Sequence, residues 1–113
     1  MRLATLFLIV SACGGTPAAA PATPEAKALA ECLSEHGVIM YGAFWCPHCA
    51  AQKKVFGDAF TQVSYVECSH PNRTQTQECI DARILGYPTW VFPDASRLQG
   101  EQTVAELKEK SGC

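Results

Sequence analysis

Apolar residues along this chain follow two rhythms that take turns. From Glu25 to His36, Ala26, Leu29, Ala30 and Leu33 fall near a 3.6-residue repeat. That spacing predicts an amphipathic helix, which Gly37 stops. Val38 to Tyr41 is a short unbroken apolar run, the pattern of a buried strand. Gly42-Ala43-Phe44-Trp45 leads out of it into Cys46-Pro47-His48-Cys49, which opens a second helix reaching about Phe56. Pro47 falls in the first turn, where a missing N–H removes no helix bond. Val63 to Glu67 predicts another strand, Ser69 to Thr74 a polar loop, and Thr76 to Arg83 a short helix. After a break at Gly86-Tyr87-Pro88, Thr89 to Phe92 reads as a strand and Pro93-Asp94 as a turn. Arg97 to Gln99 fits an edge strand, and Thr103 to Lys110 a last helix with Val104 and Leu107 inward. Strands alternating with helices predict one α/β domain over residues 25–113, a sheet with helices on both faces.

The first two dozen residues follow another pattern. Arg2 precedes an apolar stretch from Leu3 to Val10, broken only by Thr5, and small residues Ser11 and Ala12 follow. This is the layout of an export signal over residues 1–12. The alternatives are a buried element of the domain, disfavoured by the Gly14-Gly15 and Pro/Ala stretch that follows, and plain secretion. Val10-Ser11-Ala12-Cys13 resembles the lipobox of bacterial lipoproteins, which implies cleavage before Cys13 and lipidation of that cysteine. Gly14 to Pro24 has no charge and three prolines, so residues 13–24 read as a lipidated Cys and a Pro/Ala-rich linker. At about 3.1 Å per residue this linker reaches at most roughly 34 Å, enough to tether a domain near a membrane.

Composition sharpens the picture at two points. The 113 residues carry nine Lys+Arg against eleven Asp+Glu, so the basic footprint of a nucleic-acid binder is missing. Seven cysteines are many for a reducing compartment. Six remain if Cys13 is lipidated: Cys32, Cys46, Cys49, Cys68, Cys79 and Cys113. They allow fifteen pairings, and spacing alone does not choose among them.

The Cys-x-x-Cys at a strand-to-helix junction carries the chemistry. A thiolate is the attacking species in disulfide exchange, and a helix N-terminus supplies N–H donors and partial positive charge to it. Cys46 is therefore the expected nucleophile. Cys49, one turn on, is the expected resolving thiol. Pro47 stiffens the loop. Protonated His48 would add positive charge beside Cys46, lowering its pKa and making the disulfide a stronger oxidant. Three other readings compete. A zinc site would draw on Cys46, Cys49 and residues such as Cys68 or His70, but only one Cys-x-x-Cys knuckle is present. Haem attachment needs a histidine where Ala50 stands. A structural disulfide in an otherwise inert lipoprotein binding module is the third.

Trp45-Cys46-Pro47-His48-Cys49 followed by Tyr87-Pro88-Thr89 resembles the thioredoxin superfamily. The resemblance implies a thioredoxin-like fold with a central mixed four-stranded sheet flanked by helices. It also implies a cis Pro88 facing the active-site pair, with substrate docked through the Tyr87 backbone and the surface around Trp45. The run from Met40 to Cys49, with Gln52-Lys53, Phe56-Gly57, Tyr65-Val66-Glu67-Cys68, Gln77-Glu78-Cys79 and Tyr87-Pro88-Thr89-Trp90, is similar to the thioredoxin-like domain fused to bacterial and plant vitamin K epoxide reductase (VKOR) homologues. That similarity implies oxidation of cysteines in exported polypeptides and reoxidation by a membrane quinone-linked disulfide reductase of VKOR or DsbB type. The partner is expected as a separate protein, with the lipid anchor holding this chain at the extracytoplasmic side of a bacterial cell envelope. The alternative direction is an envelope disulfide reductase or isomerase. Cys-Pro-His-Cys is also the tetrapeptide of periplasmic disulfide oxidases of the DsbA type. Thioredoxins carry a buried acid six residues before the first cysteine, where this chain has Met40. No cofactor or metal is implied beyond the Cys46–Cys49 disulfide. Cys68 and Cys79 align with a second cysteine pair of the fused family, implying a structural disulfide, with an electron relay as the alternative. Cys32 and Cys113 have no counterpart there. They are candidates for a second structural disulfide or for free or intermolecular thiols.

Overall fold

A computed structural model describes residues 19–113. The expected export signal, Cys13 and most of the linker lie outside the described residues. Helix α1 spans Pro24–Glu35, strand β1 Ile39–Gly42 and helix α2 Pro47–Phe56. A 3-10 helix, Gly57–Gln62, follows, then β2 (Ser64–Glu67), α3 (Gln77–Asp81), β3 (Thr89–Val91), β4 (Arg97–Gln99) and α4 (Val104–Ser111). None of the described helices is long and apolar enough to cross a membrane.

The four strands form one mixed sheet in the order β2-β1-β3-β4. The α2 crossover makes β1 and β2 parallel, while β3 runs antiparallel to both β1 and β4. Successive side chains on a strand face opposite ways, and this separates two cores. Met40 and Trp90, paired across β1 and β3, share one cluster with Leu29 and Leu33 of α1, Phe56 of α2 and Leu107 of α4. Tyr41, Val66 and Val91 pack instead against Cys68, Cys79 and Ile84 around α3. This is the expected mixed sheet flanked by helices, and it is compatible with a thioredoxin-like fold.

Threonine starts three of the helices. The side chains of Thr23, Thr76 and Thr103 accept from the N–H groups of Ala26, Cys79 and Glu106. Each satisfies a donor that the first helical turn leaves free. Two stretches differ from the sequence expectation. Helix α3 ends at Asp81, because Arg83 takes a left-handed conformation (φ 56°) that no helix continues through. The end of the linker is docked on the domain. Asp58 N–H donates to the Ala20 carbonyl at 2.8 Å, and Ala22 N–H donates to the Asp58 carboxylate at 2.8 Å. Gly57 permits this approach, since a Cβ there would collide with the Ala20 carbonyl oxygen. Any free tether therefore ends before Ala20.

Two disulfides brace this frame. Cys32 of α1 is bonded to Cys113 beyond α4, and Cys68 at the end of β2 to Cys79 of α3. The second closes a loop of 11 residues in sequence separation. Replacing both Cys68 and Cys79 by alanine is expected to cost about 2–3 kcal/mol in urea unfolding. An unchanged stability would show that the α3 loop is held by its backbone bonds alone.

Candidate active site

β1 delivers the chain to the site and α2 carries it away. The Cys46 N–H closes a turn onto the Ala43 carbonyl at 3.1 Å, and Cys46 is the N-cap residue of α2 with extended backbone (φ −80°, ψ 120°). The residue thus stands at the helix end whose first-turn N–H groups lack helix partners, although its sulfur makes no capping hydrogen bond to them. Pro47 stands at the first helical position. Cys46 and Cys49 are both thiols here, unlike the other four cysteines of the domain. They differ in access: Cys46 is 7% exposed and Cys49 1%. Burial pushes the Cys49 thiol up to about 11, and the nearby Cys46 sulfur adds to the shift. A hydrogen bond with the Ala43 backbone and the Lys53 charge offset part of it. At neutral pH Cys49 is a protonated thiol behind its more accessible partner.

The Tyr87–Pro88 peptide is cis, and Pro88 is fully buried. The Tyr87 carbonyl faces the Cys46 sulfur at 3.8 Å. The chain brought from residue 87 therefore lies against the attacking atom. Trp45 packs edge-on against Tyr87 with ring centroids 6.0 Å apart, and its indole N–H donates to Ser69 Oγ at 2.8 Å. Trp45 remains 38% exposed and Phe44 56%. Leu85, two residues before Tyr87 in the chain, is 91% exposed, an apolar side chain that sequence reading missed. Its only sequence signal is an apolar residue next to the Gly86-Tyr87-Pro88 break.

His48 is paired across the fold. Its Nδ1 lies 2.9 Å from Glu101 Oε1, and both side chains are exposed. The positive charge expected for Cys46 therefore has a carboxylate beside it. Glu101 arrives from 53 residues away, so nothing near His48 in the sequence announces it. An exposed pair of this kind is worth little to stability, but its carboxylate opposes the field that the imidazolium alone would place on the cysteine.

Two polar side chains, Gln52 buried and Glu67 half-buried, support the site. Gln52, one turn after Cys49, is fully buried. It accepts from the Trp90 indole N–H at 3.2 Å and the Gln102 N–H at 2.7 Å, and donates to the Gln102 carbonyl at 3.0 Å. This pins the active-site helix to β3 and to the segment entering α4. Glu67, at the end of β2, accepts from the N–H groups of Phe44 and Ser69 and from the Tyr65 hydroxyl. Sequence reading quoted both residues within motifs and gave neither a role.

The zinc set that would join Cys68 to Cys46 and Cys49 does not assemble, because Cys68 is bonded to Cys79. Among the described residues, Cys32, His36 and Cys113 bring three candidate ligand atoms together, but the two sulfurs are joined to each other.

No protein-family model matches the chain. It is 43% identical over 102 residues to thiol-disulfide oxidoreductase LTO1 of Arabidopsis thaliana. The match takes in 86% of this chain and 27% of that protein, so the chain spans about a quarter of the length of its curated relative. That likeness, falling on a domain whose two free thiols flank a helix N-terminus, supports a place for the chain among thiol–disulfide oxidoreductases.

Proposed function

We propose that this chain is an extracytoplasmic thiol–disulfide oxidoreductase that oxidises cysteines of exported polypeptides. The observation that carries the reading is the asymmetric pair: Cys46 at the N-cap of α2 facing the Tyr87 carbonyl, with Cys49 buried one turn behind it. A substrate thiolate attacks the Cys46 sulfur of the oxidised pair, and the Cys46–Cys49 bond breaks with its electron pair on Cys49. A second substrate thiolate then attacks its own sulfur in the mixed disulfide, and Cys46 leaves as thiolate. The substrate has lost two electrons and the cysteine pair has gained them. A membrane quinone-linked disulfide reductase of VKOR or DsbB type takes them on, with the quinone as acceptor. Lipidation at Cys13 would keep the domain beside that partner in the bacterial cell envelope. An unfolded segment would rest on the exposed Phe44 and Trp45, with the Tyr87 backbone against its cysteine.

A second reading, an envelope disulfide reductase or isomerase, is favoured by the Glu101 carboxylate on His48. That carboxylate weakens the positive field that makes such a pair oxidising. The deciding measurement is the reduction potential of Cys46–Cys49, with the full chain carrying Cys13→Ser equilibrated in glutathione buffers and the responding pair identified by peptide mapping. An oxidase is expected near about −120 mV, the value of DsbA, and a reductase near about −270 mV, that of thioredoxin. Absence of exchange would leave a lipoprotein binding module with a structural disulfide.

A further inference from the structure

Cys49 must shed a proton when it closes a disulfide and regain one when the disulfide opens. At a thiol pushed up to about 11, only on the order of one molecule in 10⁴ is thiolate near pH 7. The position six residues before Cys46 supplies no base, since it is Met40, fully buried in the apolar core. What lies beside Met40 on the sheet is Tyr65, its register partner on β2. Gly42 shows how near Tyr65 comes to the cysteine. A Cβ built on Gly42 would sit 2.9 Å from Cys49 Sγ and 3.2 Å from Tyr65 Oη. The sulfur and the hydroxyl thus flank a single point, in a gap kept open by the lack of a side chain there. The Tyr65 hydroxyl donates to Glu67 Oε1 at 2.9 Å. Glu67 Oε2 is fixed by the N–H groups of Phe44 at 3.1 Å and Ser69 at 3.0 Å.

We infer that Glu67, acting through the Tyr65 hydroxyl, exchanges the proton of Cys49 during disulfide closure and opening. The inference rests on the redox reading above and adds the proton path to it. In resolution of a mixed disulfide, the Cys49 S–H proton passes to the Tyr65 oxygen as Tyr65 hands its own proton to Glu67. The sulfur electron pair forms the Cys46–Cys49 bond. The thiolate of the substrate leaves with the electrons of the broken bond. The reverse sequence reprotonates Cys49 when the pair is opened. A hydroxyl suits this task because it has one proton to give and lone pairs to receive another. Burial and the Glu67 carboxylate hold the Tyr65 hydroxyl well above its ordinary range, so it is a neutral hydroxyl before and after each transfer. The other charged or titratable groups facing Cys49 come from α2: Cys46, and Lys53, whose ammonium lies 4.4 Å from the Tyr65 ring centroid. Lys53 favours the Cys49 thiolate by its charge but, as an ammonium, has no lone pair with which to take the proton. Glu67 is a positioning residue here, and it acts at one remove from the sulfur.

The test uses the full chain carrying Cys13→Ser, reduced at Cys46 and Cys49, and one equivalent of 5,5′-dithiobis(2-nitrobenzoate). Attack by Cys46 releases a first coloured thiolate, and resolution by Cys49 releases a second. With the relay intact, the second phase is expected to be nearly flat between about pH 6 and 9. In Tyr65→Phe and in Glu67→Gln it should be about a hundredfold slower near pH 7 and rise about tenfold per pH unit, as free thiolate formation dictates. The double variant should be no slower than the slower single one. The first phase should not change, which shows that the Cys46 site is folded. A second phase that already rises tenfold per pH unit in the parent chain, or stays flat in both variants, overturns the relay. A parent chain that releases no second thiolate overturns the redox reading and takes the relay with it.

Discussion

Cys49→Ala is expected to accumulate a mixed disulfide between Cys46 and a disulfide-containing polypeptide, whose other sulfur leaves as thiolate, and Cys46→Ala to accumulate none. The two sulfurs belong to one motif, yet the fold gives them different access. Cys46 is 7% exposed at the helix N-cap and faces the Tyr87 carbonyl, whereas Cys49 is 1% exposed and pushed up to about 11. Removing the buried thiol leaves the accessible one able to form a bond with substrate and unable to complete the exchange. Removing the accessible thiol leaves a protonated sulfur that a polypeptide does not reach. Turnover should fall to the uncatalysed level in both variants, because each half of the exchange needs its own sulfur. Mass spectrometry after rapid alkylation reads the outcome, with the adduct cleaved by added dithiol. Equal trapping by the two variants would contradict the assigned roles, and trapping by neither would return the pair to a structural disulfide.

Gln52→Leu is expected to destabilise the domain by about 3–4 kcal/mol. The change nearly conserves volume, so packing contributes little of this. The cost comes from polar groups left without partners. The Trp90 indole N–H is fully buried, and losing its acceptor costs about 1–3 kcal/mol. The Gln102 N–H and carbonyl, part-buried, lose their partners as well and recover some of the cost from water. For a domain of this size the melting temperature should drop on the order of 15 °C. Trp90→Phe, which breaks only one of these bonds, should cost less than Gln52→Leu. A loss below about 1 kcal/mol in Gln52→Leu would mean that water replaces the glutamine, and that the clasp between α2 and α4 has no energetic weight.

The elements of the fold were largely legible because each rests on local signals. The 3.6-residue repeat of Leu29 and Leu33, the apolar run into Met40, and Thr103 ahead of Val104 and Leu107 fix helices and strands within a few residues. Arg83 shows the limit of that reading, since no local rule foretells an arginine in the left-handed region ending α3. The linker shows another. Ala20 and Ala22 read as tether by composition, but a glycine and an aspartate 36 or more residues later hold them.

What the sequence by itself determined is the reactive motif and the order of elements that presents it. Cys46-Pro47-His48-Cys49 at a strand-to-helix junction is a contiguous pattern whose expected chemistry follows from residue type and spacing, while the place of Tyr87-Pro88 opposite it is what the family resemblance implied. What only the tertiary structure decided are the partners that meet from distant parts of the chain. These are Glu101 against His48, Gln102 against Gln52, Cys113 against Cys32, and Tyr65 with Glu67 beside Cys49. Periodicity records which face of an element is buried, whereas a hydrogen bond or a disulfide depends on where two elements come to lie. The sheet register and helix packing set that placement, and they form only when the whole core closes.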